Sequence, residues 1–214
     1  MFKKKSFFIV FEGIEGCGKS FQSKKLFNNL KKKKIKTLLT REPGGTRSAE
    51  LIRNLILKDY FNKFNKEKFD KYTDTLLYLA SRNEHICNKI YPALKRKEIV
   101  ICDRFTDSTI AYQVYGKKVN PRFIANIQKF ILKGLSPNIT FILKVSPKAA
   151  RIRLKKRRIK NRYDNFSQSF YTKAQNSFLK IAKNKKNYFV LDSSKNDNNL
   201  EKKILEIVLK RINY

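Results

Sequence analysis

The sequence predicts an α/β architecture: one parallel sheet of five strands with helices packed on both faces. Two observations carry that expectation. Residues 7–11, 37–40, 99–102, 139–143 and 188–191 form short apolar runs that are unbroken rather than alternating. A strand is apolar at every position when both of its faces are covered, as in a parallel sheet. The segments between the runs are longer and show helical spacing. A chain that alternates strand and helix builds right-handed crossovers over one doubly wound sheet.

Taken in order, the run at 7–11 leads into a glycine-rich turn, and Leu26, Phe27 and Leu30 then share one helical face. After the run at 37–40, Leu51, Ile52, Leu55 and Ile56 share the face of a second helix. Near the C-terminus Leu200, Ile204, Ile207 and Val208 do the same. Residues 62–71, rich in Lys, Asn and Phe, read as a mobile surface connection. Residues 151–162 hold the densest positive segment of the chain. No internal repeat and no Pro/Gly linker interrupts the pattern, so residues 1–214 are expected to form a single domain.

At 41% hydrophobic and 13% aromatic the chain can bury a full core, which excludes intrinsic disorder for most of it. Charge is the outlier, with 50 Lys and Arg against 17 Asp and Glu, a net +33. Such a balance suggests a polyanion partner. It also suits an AT-rich coding sequence that has drifted and filled solvated surface with Lys. Cys17, Cys87 and Cys102 are odd in number and not pair-spaced, which argues against a disulfide framework or a cysteine metal site. His85 is the only histidine, which excludes His-rich zinc sites and any mechanism that needs two histidines. It reads as a helix-surface residue without a role. No apolar run approaches the roughly 20 residues that span a bilayer. The five apolar residues before Glu12 are too few for a signal peptide. The expectation is a soluble, cytoplasmic protein with no membrane partner.

The strongest motif is Gly13, Ile14, Glu15, Gly16, Cys17, Gly18, Lys19, Ser20, a complete G-x4-G-K-S between the first strand and the first helix. Glycines let backbone N–H groups curl round a phosphate, and the helix N-terminus adds a positive field. Lys19 is placed to reach the β and γ oxygens, and the Ser20 hydroxyl to ligate Mg²⁺. The chain is therefore expected to adopt a P-loop NTPase-type three-layer fold and to bind ATP through these eight residues. The N-K-x-D of a guanine-reading GTPase does not occur where the sheet would place it. A chain this short, with an Arg-dense segment late in the sequence, fits a small-molecule kinase whose helical lid closes over ATP.

Two further motifs end the second and third strands: Arg41, Glu42, Pro43, Gly44, Gly45, Thr46, and Asp103, Arg104, Phe105 followed by Ala111, Tyr112, Gln113. Ligands of open parallel sheets bind outside the carboxyl ends of the strands, so all three loops should converge on one crevice. Together with Leu76 to Arg82 and Asn161 to Asp164, these motifs make the chain resemble bacterial thymidylate kinases of the nucleoside monophosphate kinase family, from Phe7 to about Ala182.

The resemblance implies phosphoryl transfer from ATP to dTMP, for dTTP synthesis, with magnesium and in a homodimer. It implies a role for each matching residue. Glu15 would bind the dTMP 3′-hydroxyl and help arrange the magnesium site, and Asp103 would lie near the metal with Ser20. Arg104 and Arg53 would grip the dTMP phosphate, with Arg41 and Glu42 shaping that wall. Arg82 would read the thymine carbonyl edge, Tyr78 would stack on the ring, Thr109 and Gln113 would lie near the base, and Tyr112 against the deoxyribose. Gly16 is not a base, so the catalytic arginine would come from the lid near residues 153–165, as Arg153, Arg157 or Arg158. The sequence departs from the family pattern at Tyr78, where Phe is usual. It departs also at Val114 to Lys117, in place of a more glycine-rich stretch ending in Arg, and at Tyr163, where an aliphatic is common.

The chemistry agrees with the missing second histidine. A phosphate monoester, with a second pKa near 6, is mostly dianionic at pH 7 and is already a nucleophile. Charge neutralisation and alignment are the task. Blander roles compete: Asp103 and Arg104 as a surface ion pair, Arg82 as a side chain snorkelling from the core, residues 151–162 as a solvated face. Two other functions compete as well. One is a kinase for another nucleoside monophosphate; the other is a P-loop ATPase stimulated by nucleic acid, motivated by the +33 charge. The spread of that charge and the closed mononucleotide pocket argue against a specific nucleic-acid partner.

Overall fold

A computed structural model of the chain describes residues 6–58, 68–155, 167–195 and 198–212. Strand β1 (Phe7–Glu12) is followed by α1 (Lys19–Lys32), β2 (Thr37–Arg41), α2 (Arg47–Leu57) and α3 (Lys71–His85). A π-helical segment, Ile86–Ile90, joins α3 to α4 (Tyr91–Lys95), which precedes β3 (Ile99–Asp103). Then come α5 (Thr106–Thr109), a second π-helical segment Ile110–Gly116, α6 (Pro121–Leu132), β4 (Ile139–Lys144), α7 (Pro147–Lys155), α8 (Gln168–Ala182), β5 (Tyr188–Asp192) and α9 (Asn198–Ile212).

The strands form one parallel sheet in the order β2-β3-β1-β4-β5. The chain builds outward from β1 to β2, inserts β3 between them, and then crosses β1 to add β4 and β5. That reversal places a crevice above the carboxyl ends of β1 and β3. β1 shows why its run is unbroken. Phe8 and Val10 pack with Ile86, Ile90, Val100, Cys102 and Phe105 on one face. Ile9 and Phe11 pack on the other, in the larger core with Leu26, Leu30, Phe141 and Phe178. Each such large apolar side chain contributes about 1.5–3 kcal/mol by leaving water.

Every strand runs one residue past its apolar run, onto Glu12, Arg41, Asp103, Lys144 or Asp192. Register sets these ends level, since Asp103 pairs with Phe11 on one side and with Arg41 on the other. The sheet thus delivers an acid and a base to the rim of the crevice, and the loops supply the rest.

Two expectations about the helices change. Leu51 and Leu55 are not on the buried face of α2: they are 69% and 44% exposed, while Ala49 and Ile56 are fully buried. The cause is that α2 packs against α3 rather than laying its whole apolar stripe on the sheet. Of the 62–71 segment, residues 62–67 lie outside the described residues. At its end Asp70 accepts the Tyr72 amide at 2.7 Å as a helix cap, so Lys71 opens α3 instead of continuing a loop.

Candidate active site

Residues from the loop after β1, from the ends of β2 and β3 and from the segments after them line one cavity of about 630 Å³ at the carboxyl edge of the sheet. Glu15, Gly16, Gly18, Lys19 and Ser20 form one wall. Gly16 has no room for a side chain, because a Cβ would stand 2.5 Å from the Ala150 carbonyl oxygen on α7 and the backbone φ is +75°. Lys19 Nζ donates to the Gly13 and Ile14 carbonyls at 3.0 and 2.8 Å, closing the loop on itself. At the start of α1, Ser20 Oγ donates to Asp103 Oδ2.

Asp103 Oδ1 is buried and has no partner among the described residues. A hydroxyl and a carboxylate are hard oxygen donors, and an orphaned carboxylate oxygen beside the P-loop fits a magnesium ion in chemistry and place.

Glu15 anchors the next part of the wall. Arg104 Nη2 donates to Glu15 Oε1 at 2.7 Å, and the Tyr112 hydroxyl donates to Oε2. Burial pushes the Glu15 carboxyl upward, but Arg104, Lys19 and the Tyr112 hydroxyl outweigh it and hold the group ionised below its ordinary value. Arg104 also donates to the Gly13 carbonyl at 3.0 Å and to Ser108 Oγ at 2.9 Å. Its backbone sits at φ +75°, a left-handed conformation that a non-glycine residue rarely adopts and that recurs at functional sites. The Asp103–Arg104 ion pair that adjacency suggested is replaced by a pair between Arg104 and the P-loop.

The turn after β2 forms the opposite wall. Glu42 is 5% exposed and its carboxylate is held on both oxygens, by Arg82 Nε at 2.7 Å and by His85 Nδ1 at 3.2 Å. Burial opposes its charge, but Arg82 and His85 overcome that and keep it below the usual carboxylate range. Arg82 Nη2 donates to the Phe105 carbonyl at 2.9 Å, while Nη1 is buried without a partner among the described residues. Arg82 is therefore built into the cavity wall, not snorkelling from the core.

Beside this wall Arg53 Nη1 donates to the Pro43 carbonyl at 2.6 Å, and the single nitrogen Nη2 of Arg41 donates to both Glu50 carboxylate oxygens at 3.1 Å. Burial and the neighbouring charge of Arg41 push Arg53 below its ordinary value, the mark of cations gathered where an anion belongs. Tyr78, Thr109 and Gln113 complete the lining, and Gln113 Nε2 is another buried donor without a partner among the described residues. Buried polar atoms are almost always hydrogen-bonded, so orphans that cluster on one cavity mark places where a ligand binds.

Arg153 sits at the far end of the cavity, on α7. Its guanidinium donates to the carbonyls of Gly16, Ser193 and Ser194 at 3.3, 2.9 and 2.8 Å, tying the P-loop to the loop after β5. Arg157, Arg158, Tyr163 and the rest of residues 156–166 lie outside the described residues. The stretch that departs from the family pattern at 114–117 is held by Lys117, whose Nζ meets the fully buried Asp74 carboxylate at 2.7 Å.

The sequence reading missed three residues. Glu12 is fully buried and accepts the Phe105 amide at 2.8 Å, the Ser108 amide at 3.1 Å and the Ser108 hydroxyl at 2.6 Å, fixing the loop that carries Arg104. Burial, with Asp107 nearby, raises its pKa to about 8. Ser108 is the second. The third is His85, expected on a helix surface but fully buried against Glu42 and Thr40. A carboxylate closing an apolar strand is the signal that could have found Glu12. His85 could have been suspected from its place one helical turn after Arg82.

Comparisons with known proteins agree with this geometry. The family model described as thymidylate kinase matches residues 11–204. A thymidylate kinase of Aster yellows witches'-broom phytoplasma is 43% identical, over 96% of this chain and 97% of that protein. One from Prochlorococcus marinus strain AS9601 is 42% identical, over 94% of this chain and 95% of that protein. The crystal structure of thymidylate kinase from Ehrlichia chaffeensis superimposes with a TM-score of 0.74 at 32% identity, covering 95% of this chain and 99% of that one. With the P-loop, the Arg104–Glu15 pair and the Glu42–Arg82 wall around one nucleotide-sized cavity, the chain belongs to the thymidylate kinase family.

Proposed function

We propose that the described cavity is where this kinase phosphorylates dTMP to dTDP with ATP as donor, as follows. ATP phosphates lie on the backbone N–H groups of residues 13–20, with Lys19 on the transferring end. dTMP lies across the cavity, its phosphate against Arg104, Arg53 and Arg41, its ring between Tyr78 and Arg82, and its sugar beside Tyr112 and Glu15. The observation that supports this reading is that three of the six buried polar atoms that lack partners among the described residues, Arg82 Nη1, Gln113 Nε2 and Asp103 Oδ1, belong to residues that line one cavity. Two of them are amide or guanidinium donors suited to nucleobase carbonyls.

The acceptor phosphate needs no general base, because at pH 7 it is mostly the dianion. The chain's own residues bring two polyanions into line and offset their repulsion in one shared cavity. Arg104 contacts the acceptor phosphate while Glu15 holds its guanidinium in place. Ser20 and Asp103 would hold magnesium, which when bound neutralises charge on the β and γ oxygens. Three of the five N–H donors of Arg153 are taken by backbone carbonyls, so in this reading Arg157 or Arg158 is assigned to the transferring group.

Leu51 and Leu55 on α2 and Leu76 on α3 expose apolar surface on two helices that pack together. A second copy of the chain covers this face, giving a homodimer, and Leu51→Glu should return it to a monomer in sedimentation. Among the described residues no helix is long and apolar enough to cross a membrane. A cytoplasmic location and no specific nucleic-acid partner are part of this reading.

A coupled ADP-release assay with ATP, Mg²⁺ and a panel of dTMP, dUMP, dCMP, dGMP, dAMP and UMP tests the assignment. A strong preference for dTMP that disappears in Arg82→Ala supports it. Turnover absent with every monophosphate, but stimulated by single-stranded DNA, replaces it with a nucleic-acid-dependent ATPase.

A further inference from the structure

We propose that His85 is a positioning residue of the acceptor site, acting on substrate through Glu42 and Arg82. The imidazole bridges two groups from the far side of the wall. Nε2 lies 2.6 Å from Thr40 Oγ1, and Nδ1 lies 3.2 Å from Glu42 Oε1. Glu42 Oε2 in turn takes Arg82 Nε at 2.7 Å. The relay runs from the end of β2 through a buried ring to a carboxylate and then to a guanidinium that lines the cavity.

The physical need for the ring follows from the torsions. The terminal torsion of a glutamate is broad, so one hydrogen bond from Arg82 does not fix the carboxylate plane. A second donor on the other oxygen does. Glu42 is held ionised, and a carboxylate can only accept, so His85 Nδ1 is the donor to Oε1 while Nε2 meets the Thr40 hydroxyl. With its carboxylate pinned at both oxygens, Glu42 sets the guanidinium plane, and the Phe105 carbonyl fixes Nη2. Nη1 is then the donor left for an acceptor ligand. Outer partners that orient contact residues are commonly worth 10–100-fold in affinity at metal sites, and the same geometry operates here.

The surrounding glycine supports the assignment. A Cβ at Gly45 would stand 2.5 Å from His85 Cδ2, 2.6 Å from Nε2 and 2.8 Å from Thr40 Oγ1. The turn after Glu42 is therefore shaped to admit an imidazole. Lys89 Nζ and Ser81 Oγ hold the same turn at the Gly45 carbonyl and the Gly44 amide, at 2.6 and 3.0 Å.

This inference rests on the reading that Arg82 meets the nucleobase, and the test separates the two. Steady-state KM and kcat are measured for His85→Leu, which keeps bulk without a donor, for His85→Asn, whose amide replaces the Nδ1 donor, and for Arg82→Ala. His85→Leu should raise the dTMP KM about 10-fold with the ATP KM unchanged, the cost of a lost hydrogen bond to a charged group. His85→Asn should restore dTMP KM to within about threefold of wild type, and His85→Leu should add nothing in an Arg82→Ala background. Equal behaviour of Leu and Asn, or an ATP KM that rises in step, overturns the proposal. Should His85→Leu not fold, an elevated dTMP KM in folded His85→Asn overturns it alone. A response of Arg82→Ala without one of His85→Leu sinks the relay only. An unchanged dTMP KM in Arg82→Ala sinks the reading of Arg82 and the relay with it.

Discussion

Arg104 on the β3 loop and Glu15 in the P-loop, 89 residues apart in sequence, meet at 2.7 Å, so two loops that line the cavity are joined by an ion pair. The pair is only 14% exposed on either side. It therefore positions an arginine that by itself would be mobile, and gives the P-loop carboxylate a purpose beyond solvation.

This pair predicts an acid-sensitive share of stability. The folded carboxyl of Glu15 sits below its ordinary 4.5 despite burial, because Arg104 and Lys19 favour its charge. A depressed carboxyl contributes stability that is present above the unfolded pKa and is lost as pH falls through the folded one. Glu15→Gln should cost about 1–3 kcal/mol at pH 7, and urea titrations should show that difference shrinking as pH drops below about 4.5.

Glu12 predicts the opposite sign. Burial and Asp107 raise its pKa from 4.5 to about 8, so between those values the native state keeps a proton the unfolded chain has released. Its contribution to stability thus falls as pH rises through that window, by up to about 1.4 kcal/mol per pH unit. Glu12→Gln, which keeps an acceptor for the Phe105 and Ser108 amides, should flatten the dependence between pH 5 and 8. An unaltered slope would contradict the assignment.

Gly45 is where a single methyl should be felt. Its φ is +99°, and an alanine Cβ would collide with the His85 ring and Thr40. Gly45→Ala should destabilise by about 1–3 kcal/mol and raise the dTMP KM more than the ATP KM, as thermal melts and steady-state kinetics can read.

The arginines of the late basic segment should divide by role. Arg153→Ala loosens the tie between Gly16 and the loop at Ser193 and Ser194, and should act on the ATP KM. Loss of the arginine proposed to meet the transferring phosphoryl, Arg157 or Arg158, should lower kcat by about 10³ or more with KM values little changed. Single-turnover measurements on the three alanine variants separate these outcomes.

Much of the fold and site is local and so could be read from sequence. Unbroken apolar runs at 7–11 and 99–102 mark strands covered on both faces, because burial acts on each position separately. The G-x4-G-K-S motif at 13–20 encodes its own turn, since glycine φ freedom and a helix start are properties of consecutive residues. Strand ends then placed Arg41 and Asp103 at the crevice. Tertiary structure alone decided the partners. Arg104 chose Glu15 over adjacent Asp103, His85 left the surface for Glu42, and Leu51 and Leu55 stayed outside while Ala49 and Ile56 went in. Each of these depends on which strand is inserted beside β1 and how α2 and α3 lean on each other. Spacing along the chain records which face of a helix is apolar, whereas the free energy of pairing a buried charge depends on groups that the fold brings in from tens of residues away.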